Sequence, residues 1–273
     1  MSRRGSGPRA FVAGALGAGV TTGAWTALVA GPDLGDRWRR RNYRDREVTL
    51  LLGPAVAAGA LAGAAAAGPN GRQAALGVVA TTAAVGLYDD LYGDRHARGL
   101  AGHLRALREG RVTTGMVKLV SIVAAAAIGS ARCHRHPVDA ALGTVLIAGT
   151  TNLVNLFDLR PGRAAKVSLI AAAMLRRGRD DAGRGIATAA GGVALAALPA
   201  DLGEVAMLGD CGAGTLGSLL GWSAATSGSR ARRAAIAVGV VGLTLASERV
   251  SFSAVIDGHP ALRALDQLGR QPA

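Results

Sequence analysis

The sequence contains few of the residues from which soluble cores and disulfide frameworks are built. Phe, Trp and Tyr together make up 3% of its 273 residues, and only Cys133 and Cys211 carry thiols. Two cysteines without a CxxC pair or a metal-type spacing argue against a disulfide framework and a zinc site. The hydrophobic half of the chain is mostly Ala, Val and Leu, accompanied by 40 glycines. Such a composition makes a poor soluble core and suits membrane helices that pack closely through small residues.

Acidic residues are also scarce, since 18 Asp and Glu accompany 31 Lys and Arg, which leaves a net charge of +13. The arginines cluster between apolar segments and do not form one polar face with interleaved aromatics, the pattern of a nucleic-acid-binding surface. We therefore expect no nucleic-acid partner. Anionic lipid headgroups and phosphate-bearing substrates explain the charge better.

The apolar residues are grouped in segments that approach the ~20 residues needed to cross a bilayer. They predict an all-α protein, a polytopic transmembrane helix bundle of about nine spans whose cytoplasmic loops form the site. We expect a single integral membrane domain over residues 1–273. The first segment follows a basic N-terminus as a secretory signal does, but its length and the later spans predict a retained helix. The predicted spans are residues 11–31, 48–68, 74–91, 113–131, 138–157, 164–175, 185–199, 205–225 and 234–246.

The distribution of Lys and Arg in the connections bears on orientation. The densest basic cluster, DRWRRRNYRDRE at residues 36–47, lies directly before the second span. Placing this cluster inside predicts a multi-pass protein of the cell membrane with its N-terminus outside. The ends of spans three and five and the start of span eight, where the polar motifs lie, then face the cytoplasm. Residues 251–273 are too polar to span and predict a short cytoplasmic or interfacial amphipathic tail.

The first polar motif, GLYDDLYGD at residues 86–94, ends the third apolar segment with Asp89 and Asp90. Carboxylates at the end of a membrane helix are unfavourable and usually mark a functional site. Adjacent helical residues point about 100° apart, so the two cannot both face one ligand squarely. We expect one to touch a substrate and the other to orient a Lys or Arg. A solvated helix end is the alternative.

The second motif is TNLVNLFDLRPGRAAK at residues 151–166. Asn152, Asn155 and Asp158 recur every three residues and therefore share a helix face. Two carboxamides and a carboxylate in line suit a nucleobase or a sugar. The alternative, a capped helix end with ordinary arginines, is weakened because both Asn lie in apolar sequence and need partners. The residues suited to binding phosphates are Arg160, Arg163 and Lys166.

The third motif, MLGDCGAGTLGSLLG at residues 207–221, places Asp210 among closely spaced glycines. The glycines predict a tight turn that enters a helix packed closely against a neighbour. A carboxylate at this turn suits Mg²⁺, which in phosphate enzymes takes one or two carboxylates plus substrate oxygens. The alternative is that Asp210 caps a small-residue packing helix.

In this order the three motifs resemble those of the polyprenyl-phosphate N-acetylhexosamine-1-phosphate transferase superfamily, glycosyltransferase family 4, which includes phospho-N-acetylmuramoyl-pentapeptide translocase. The resemblance covers residues 42–248. In that family a cytoplasmic DD closes a transmembrane helix, an NLxNLxDGxDG-type segment follows, and a GDxGS-type turn comes later. The matching residues here are Asp89 and Asp90, then Asn152, Asn155 and Asp158, and finally Asp210.

Two departures indicate a divergent branch and not the peptidoglycan translocase itself. Pro161 stands where the family's DGxDG has its second aspartate, so we expect substrate recognition to differ. The histidine-rich segment of the last cytoplasmic loop is replaced by a stretch that contains Ser247, Glu248, Arg249 and Ser251.

The resemblance implies transfer of a sugar 1-phosphate from a UDP-sugar to a polyprenyl phosphate, with release of UMP, in cell-wall or surface-glycan biosynthesis. Asp210 would then hold Mg²⁺, Asp89 would deprotonate or orient the lipid phosphate, and Asp90 would support it. The side chains that hold the nucleotide or sugar would be Asn152, Asn155 and Asp158, and those that hold the diphosphate Arg160, Arg163 and Lys166.

Several alternatives stay open at this point. Lys118, at the start of the fourth span, either snorkels to the interface or contacts a diphosphate; family members carry a functional lysine in this region. The chain could also be an inactive relative that binds a lipid or a partner, a transporter, or a soluble Ala-rich helical protein. A homodimer is compatible with each membrane alternative.

Overall fold

The computed structural model describes residues 6–93, 99–177 and 181–271. Asp94 of the first motif and residues 272–273 of the predicted tail lie outside this part. Within it the chain is helical apart from one short hairpin, which confirms the mainly helical class. The described helices are α1 (Ser6–Val29), α2 (Leu52–Ala66), α3 (Arg72–Tyr92), α4 (Gly99–Arg108), α5 (Thr114–Cys133), α6 (Pro137–Phe157), α7 (Arg163–Leu175), α8 (Asp181–Leu202), α9 (Gly209–Thr226), α10 (Arg230–Ser247), α11 (Phe252–Gly258) and α12 (Pro260–Gln267).

Five described helices, α1, α3, α5, α6 and α8, are long and apolar enough to cross a membrane. A sixth span is counted if α10 and α11, which are bent by 95° at their junction, form one broken span. The prediction of about nine spans is therefore not confirmed. Each predicted span overlaps a helix, but the second begins in a short strand and the eighth becomes helical only at Gly209. Helix α2 has 15 residues and α7 only 13. Both are shorter than the ~20 residues that cross a bilayer.

Helix α9 forms the centre of the bundle and is buried along almost its whole length. It packs against α6, α3, α8 and α2. The glycines of the third motif allow this, because a Cβ added to Gly217 would lie 2.6 Å from the Cα of Thr151 on α6. Since other helices surround α9, its Gly and Ser residues face protein and not lipid.

The basic cluster before α2, predicted as a simple connection, contains a β-hairpin. Strand β1 (Arg39–Arg41) pairs antiparallel with β2 (Glu47–Thr49). The side-chain oxygen of Asn42 organises the turn by accepting from the backbone N–H groups of Arg44 and Arg46, at 2.8 and 3.1 Å. Strands of three residues are too short for the alternation of polar and apolar residues that marks a strand in a sequence.

The helices alternate in direction, and this brings the polar motifs to one end of the bundle. We call this the site end: it contains the C-terminal ends of α3 and α6 and the N-terminal ends of α5 and α9. At the opposite end, Asp139 at the start of α6 forms ion pairs of 2.8 and 2.7 Å with Arg230 and Arg233 at the start of α10.

Candidate functional site

Four helices each contribute one polar side chain to a cluster at the site end, which we call the acid–lysine centre. The Nζ of Lys118 on α5 lies 2.6 Å from Asp89 Oδ2 on α3 and 2.8 Å from Asp210 Oδ2 on α9. From α6, the carboxamide of Asn155 donates to Asp210 Oδ1. The structure thus joins one residue from each of the three motifs through direct contacts, together with Lys118.

Asp90 contributes to this centre indirectly, by fixing the first turn of α9. Its two carboxylate oxygens accept from the backbone N–H groups of Asp210 and Cys211, both at 2.9 Å. Asp90 therefore caps α9 from a neighbouring helix and satisfies amides that have no partner within α9. Gly209 precedes this turn with φ of 62°, a left-handed conformation that suits glycine. The sequence predicted that one of the two aspartates would orient a Lys or Arg. In the structure Asp89 contacts Lys118, and Asp90 orients backbone amides.

The donor set of the centre is compatible with a magnesium ion. Asp89 and Asp210 are bridged by a single ammonium group, so their carboxylates are close enough to share a cation. No group of three or more His, Cys, Asp or Glu residues among the described residues is arranged to hold a metal. Mg²⁺ does not require one, because in phosphate enzymes it typically binds one or two carboxylates and takes its other ligands from water and phosphates.

Of the other second-motif residues, Asn152 is exposed on α6, whereas Asp158 and Arg160 line a cavity of about 200 Å³. Burial raises the pKa of Asp158 well above its usual range, and the nearby carboxylates of Asp201 and Asp90 raise it further. The cavity therefore lies close to the acid–lysine centre and is rich in carboxyl groups, which form hydrogen bonds with hydroxyl or amide groups of a ligand.

The β-hairpin forms the other wall of this cavity. The guanidinium of Arg160 lies over the ring of Tyr43, 4.1 Å from its centroid. Glu204, whose side chain is fully buried, accepts from Asn42 Nδ2 at 2.7 Å and from Arg44 Nη1 at 3.0 Å. The hairpin is thereby fixed to the end of α8 and to the second motif.

A larger cavity of about 610 Å³ lies beside Asp90 and is lined in part by the hairpin residues Arg39, Arg40 and Arg41. Arg40 also donates to the backbone carbonyl of Asp90. The densest basic cluster of the sequence therefore lies next to the acid–lysine centre, where it places positive charge beside the carboxylates.

Arg163 and Lys166 contact the C-terminal segment. The buried guanidinium of Arg163 donates to both carboxylate oxygens of Asp266, at 2.8 and 3.0 Å. Lys166 Nζ donates to the backbone carbonyl of Asp266 at 2.7 Å. Of the three cations predicted to bind a diphosphate, Arg160 is thus the one that lines the cavity near the acid–lysine centre.

Sequence reasoning gave no role to Asp201 or Glu204 and left Lys118 open. Asp201 and Glu204 follow the seventh apolar segment, so the same signal that marked Asp89, an acid ending an apolar stretch, was available for them. Tyr43 carries no such signal, because only the fold brings the hairpin to the second motif.

The fold and site together define a mainly helical protein with apolar helices that could span a membrane and a charged site at one end of the bundle. No family model matches the sequence, and no curated protein matches it.

Proposed function

We propose that the protein is a membrane phosphoglycosyl transferase that moves a sugar 1-phosphate from a UDP-sugar to a polyprenyl phosphate and releases UMP. The observation that carries the proposal is the bridge that Lys118 forms between Asp89 and Asp210 at the end of apolar helices. A lipid phosphate lies at the membrane surface, where this site end would meet it. The basic hairpin beside the site favours the cytoplasmic face of the cell membrane.

The chemistry requires two anions to meet. An oxygen of the lipid phosphate attacks the β-phosphorus of the UDP-sugar, and the bond from that phosphorus to the bridging oxygen breaks as UMP leaves. The proposal assigns the cations of Lys118, Arg40 and Arg160 to offset this charge. A phosphate monoester has a second pKa of about 6, so at neutral pH little deprotonation is needed. The role proposed for Asp89 is to orient the lipid phosphate through its contact with Lys118.

Asp210 would hold Mg²⁺. The ion, when bound, supplies positive charge that stabilises the diphosphate in the transition state. Asn155 orients Asp210 from α6, and Asp90 fixes the backbone of the same residue. The 200 Å³ cavity is proposed to receive part of the donor, with Asp158 hydrogen-bonded to the nucleotide or sugar and Arg160 beside the diphosphate.

The proposal is tested by UMP release from a panel of UDP-sugars, with purified protein, polyprenyl phosphate and Mg²⁺. We expect Asp210→Asn to reduce release by about 100-fold or more, because it removes a charge that acts in the transition state. The matched control is Asp139→Asn, which neutralises an aspartate at the opposite end of the bundle.

Two outcomes would contradict the proposal for that panel. The first is no UMP from any donor with the wild-type protein, which would favour an inactive relative that binds a lipid. The second is equal loss of activity in Asp210→Asn and Asp139→Asn, which would show that the site end has no special role. A transporter is less well supported, because the acid–lysine centre lies at one end of the bundle and not at its middle.

A further inference from the structure

The segment of residues 252–271, which we call the C-terminal strap, packs on the second motif. The ring of Phe252 stacks on that of Phe157, with centroids 4.9 Å apart and an interplanar angle of 11°. Further along, the side chains of Asp266 and Arg163 are only 5% and 3% exposed and form a two-pronged ion pair. An ion pair this well buried, with both prongs hydrogen-bonded, fixes one geometry.

Arg270 extends the strap to the turn between α6 and α7. Its Nη2 donates to Asp266 Oδ1 at 2.7 Å, and its Nε donates to the backbone carbonyl of Pro161 at 2.9 Å. One guanidinium thus links the buried ion pair to the residue that follows Arg160. The next strap residue, Gln271, accepts from Arg44 of the hairpin at 3.2 Å. The strap therefore contacts both walls of the 200 Å³ cavity.

We propose that the C-terminal strap holds the turn of residues 158–162 in place, and that Asp266 and Arg270 are positioning residues for binding of the nucleotide-sugar donor. The second part rests on the proposed function. Asp158 and Arg160 belong to this turn. Among the described residues, the hydrogen bond from the strap to the backbone of the turn is the one that Arg270 donates to the carbonyl of Pro161. The lipid-phosphate side of the site, at Asp89 and Lys118, is built on α3 and α5 and has no such link to the strap in the described contacts.

The test compares Arg270→Met with Arg263→Met in the full-length protein. Both changes remove a strap arginine, but Arg263 is exposed and donates to Asp257 within the strap itself. Arg270→Met leaves Asp266 paired with Arg163, so the protein should fold. The first measurement is backbone hydrogen exchange of residues 158–166, which needs no substrate. We expect faster exchange there in Arg270→Met and no change in Arg263→Met.

The second measurement separates positioning from loss of folded protein. We expect Arg270→Met to raise the KM for the UDP-sugar by about tenfold, the equivalent of one charge-assisted hydrogen bond. The KM for polyprenyl phosphate should stay unchanged. If Arg270 only supported folding, the variant would contain less folded protein. The apparent kcat would then fall, and both KM values would stay unchanged.

Unchanged exchange in Arg270→Met would overturn the proposal whether or not the protein is a transferase. Faster exchange with an unchanged donor KM, or a higher turnover than wild type, would overturn the positioning role. If wild-type protein releases no UMP, the proposed function and the donor role fail together, and the exchange result still decides whether the strap holds the turn.

Discussion

At the residue scale, the ammonium group of Lys118 bridges the carboxylates of Asp89 and Asp210 in the acid–lysine centre. Without it, the carboxylates of Asp89 and Asp210 would lie close together with no ammonium group between them. We expect Lys118→Met to lower UMP release by about 100-fold, because a positive charge is lost where two anionic substrates meet.

The control for this prediction is Lys118→Arg, which keeps the charge and should retain more activity than the Met variant. Thermal unfolding of both proteins in detergent would show whether folding is preserved. Activity of Lys118→Met within about threefold of wild type would contradict a role for this residue in phosphate transfer.

Asp266 should make stability depend on pH in a defined direction. Burial alone would raise the pKa of Asp266, but hydrogen bonds and charges from Arg163 and Arg270 outweigh it and hold the pKa below its usual range. A depressed carboxyl pKa contributes stability above the unfolded pKa of ~3.9 and loses it as pH falls through the folded value. Removing one partner of a buried pair costs about 3 kcal/mol.

We therefore expect Asp266→Asn to lower the free energy of unfolding by a constant amount between about pH 5 and pH 8, with the gap to wild type closing below about pH 4. The measurement is chemical denaturation in detergent, from about pH 8 to below about pH 4. Asp257→Asn, an exposed strap residue, should show no gap. A difference that grows toward acid pH would show that Asp266 is not stabilised as its ion pairs imply.

At the scale of elements, the approach of α3 to α9 sets the geometry of the site. A Cβ on Gly86 would lie 2.6 Å from the backbone oxygen of Asp210, whereas a Cβ on Gly77, also in α3, meets nothing within 4 Å. We expect Gly86→Ala to destabilise the protein by about 1–3 kcal/mol through overpacking. It should also reduce UMP release, because it pushes Asp90 away from the amides of α9.

Gly77→Ala is the matched control and should leave both thermal stability and activity near wild type or slightly raise stability. Equal melting temperatures for the two variants would mean that α3 and α9 can separate without effect on the fold.

The elements also show what could be read from the sequence. Each of the apolar segments is mostly helical, because length and composition decide that locally; the segment predicted as 138–157 is α6 (Pro137–Phe157). The segment predicted from residue 205 becomes helical only at Gly209, because Ala206 instead bridges Thr49 of the hairpin. Strand pairing of this kind depends on a partner far along the chain, which local patterns do not contain.

The same limit applies to the candidate site. Asp89, Asn155 and Asp210 carry a local signal, a polar residue near the end of an apolar segment, and the structure brings them together. The pairing of Arg163 with Asp266 joins residues 103 positions apart. Its partner choice depends on how α7 and the strap pack, so the sequence predicted a substrate contact for Arg163 where the structure has an ion pair.

For the whole molecule, the proposed function predicts that the two ends of the bundle lie on opposite sides of the membrane and differ in their access to a labelling reagent. The strap lies at the site end, and Arg135 lies in the connection between α5 and α6 at the opposite end. The proposed donor is a cytoplasmic nucleotide, so the site end must face inward.

In a Cys133→Ser background, where Cys211 is buried, we expect a membrane-impermeant maleimide to label Arg135→Cys in intact cells. Asp257→Cys should react only after permeabilisation. The reverse pattern would place the acid–lysine centre outside, out of reach of a UDP-sugar, and would exclude the proposed reaction whatever the geometry of the site.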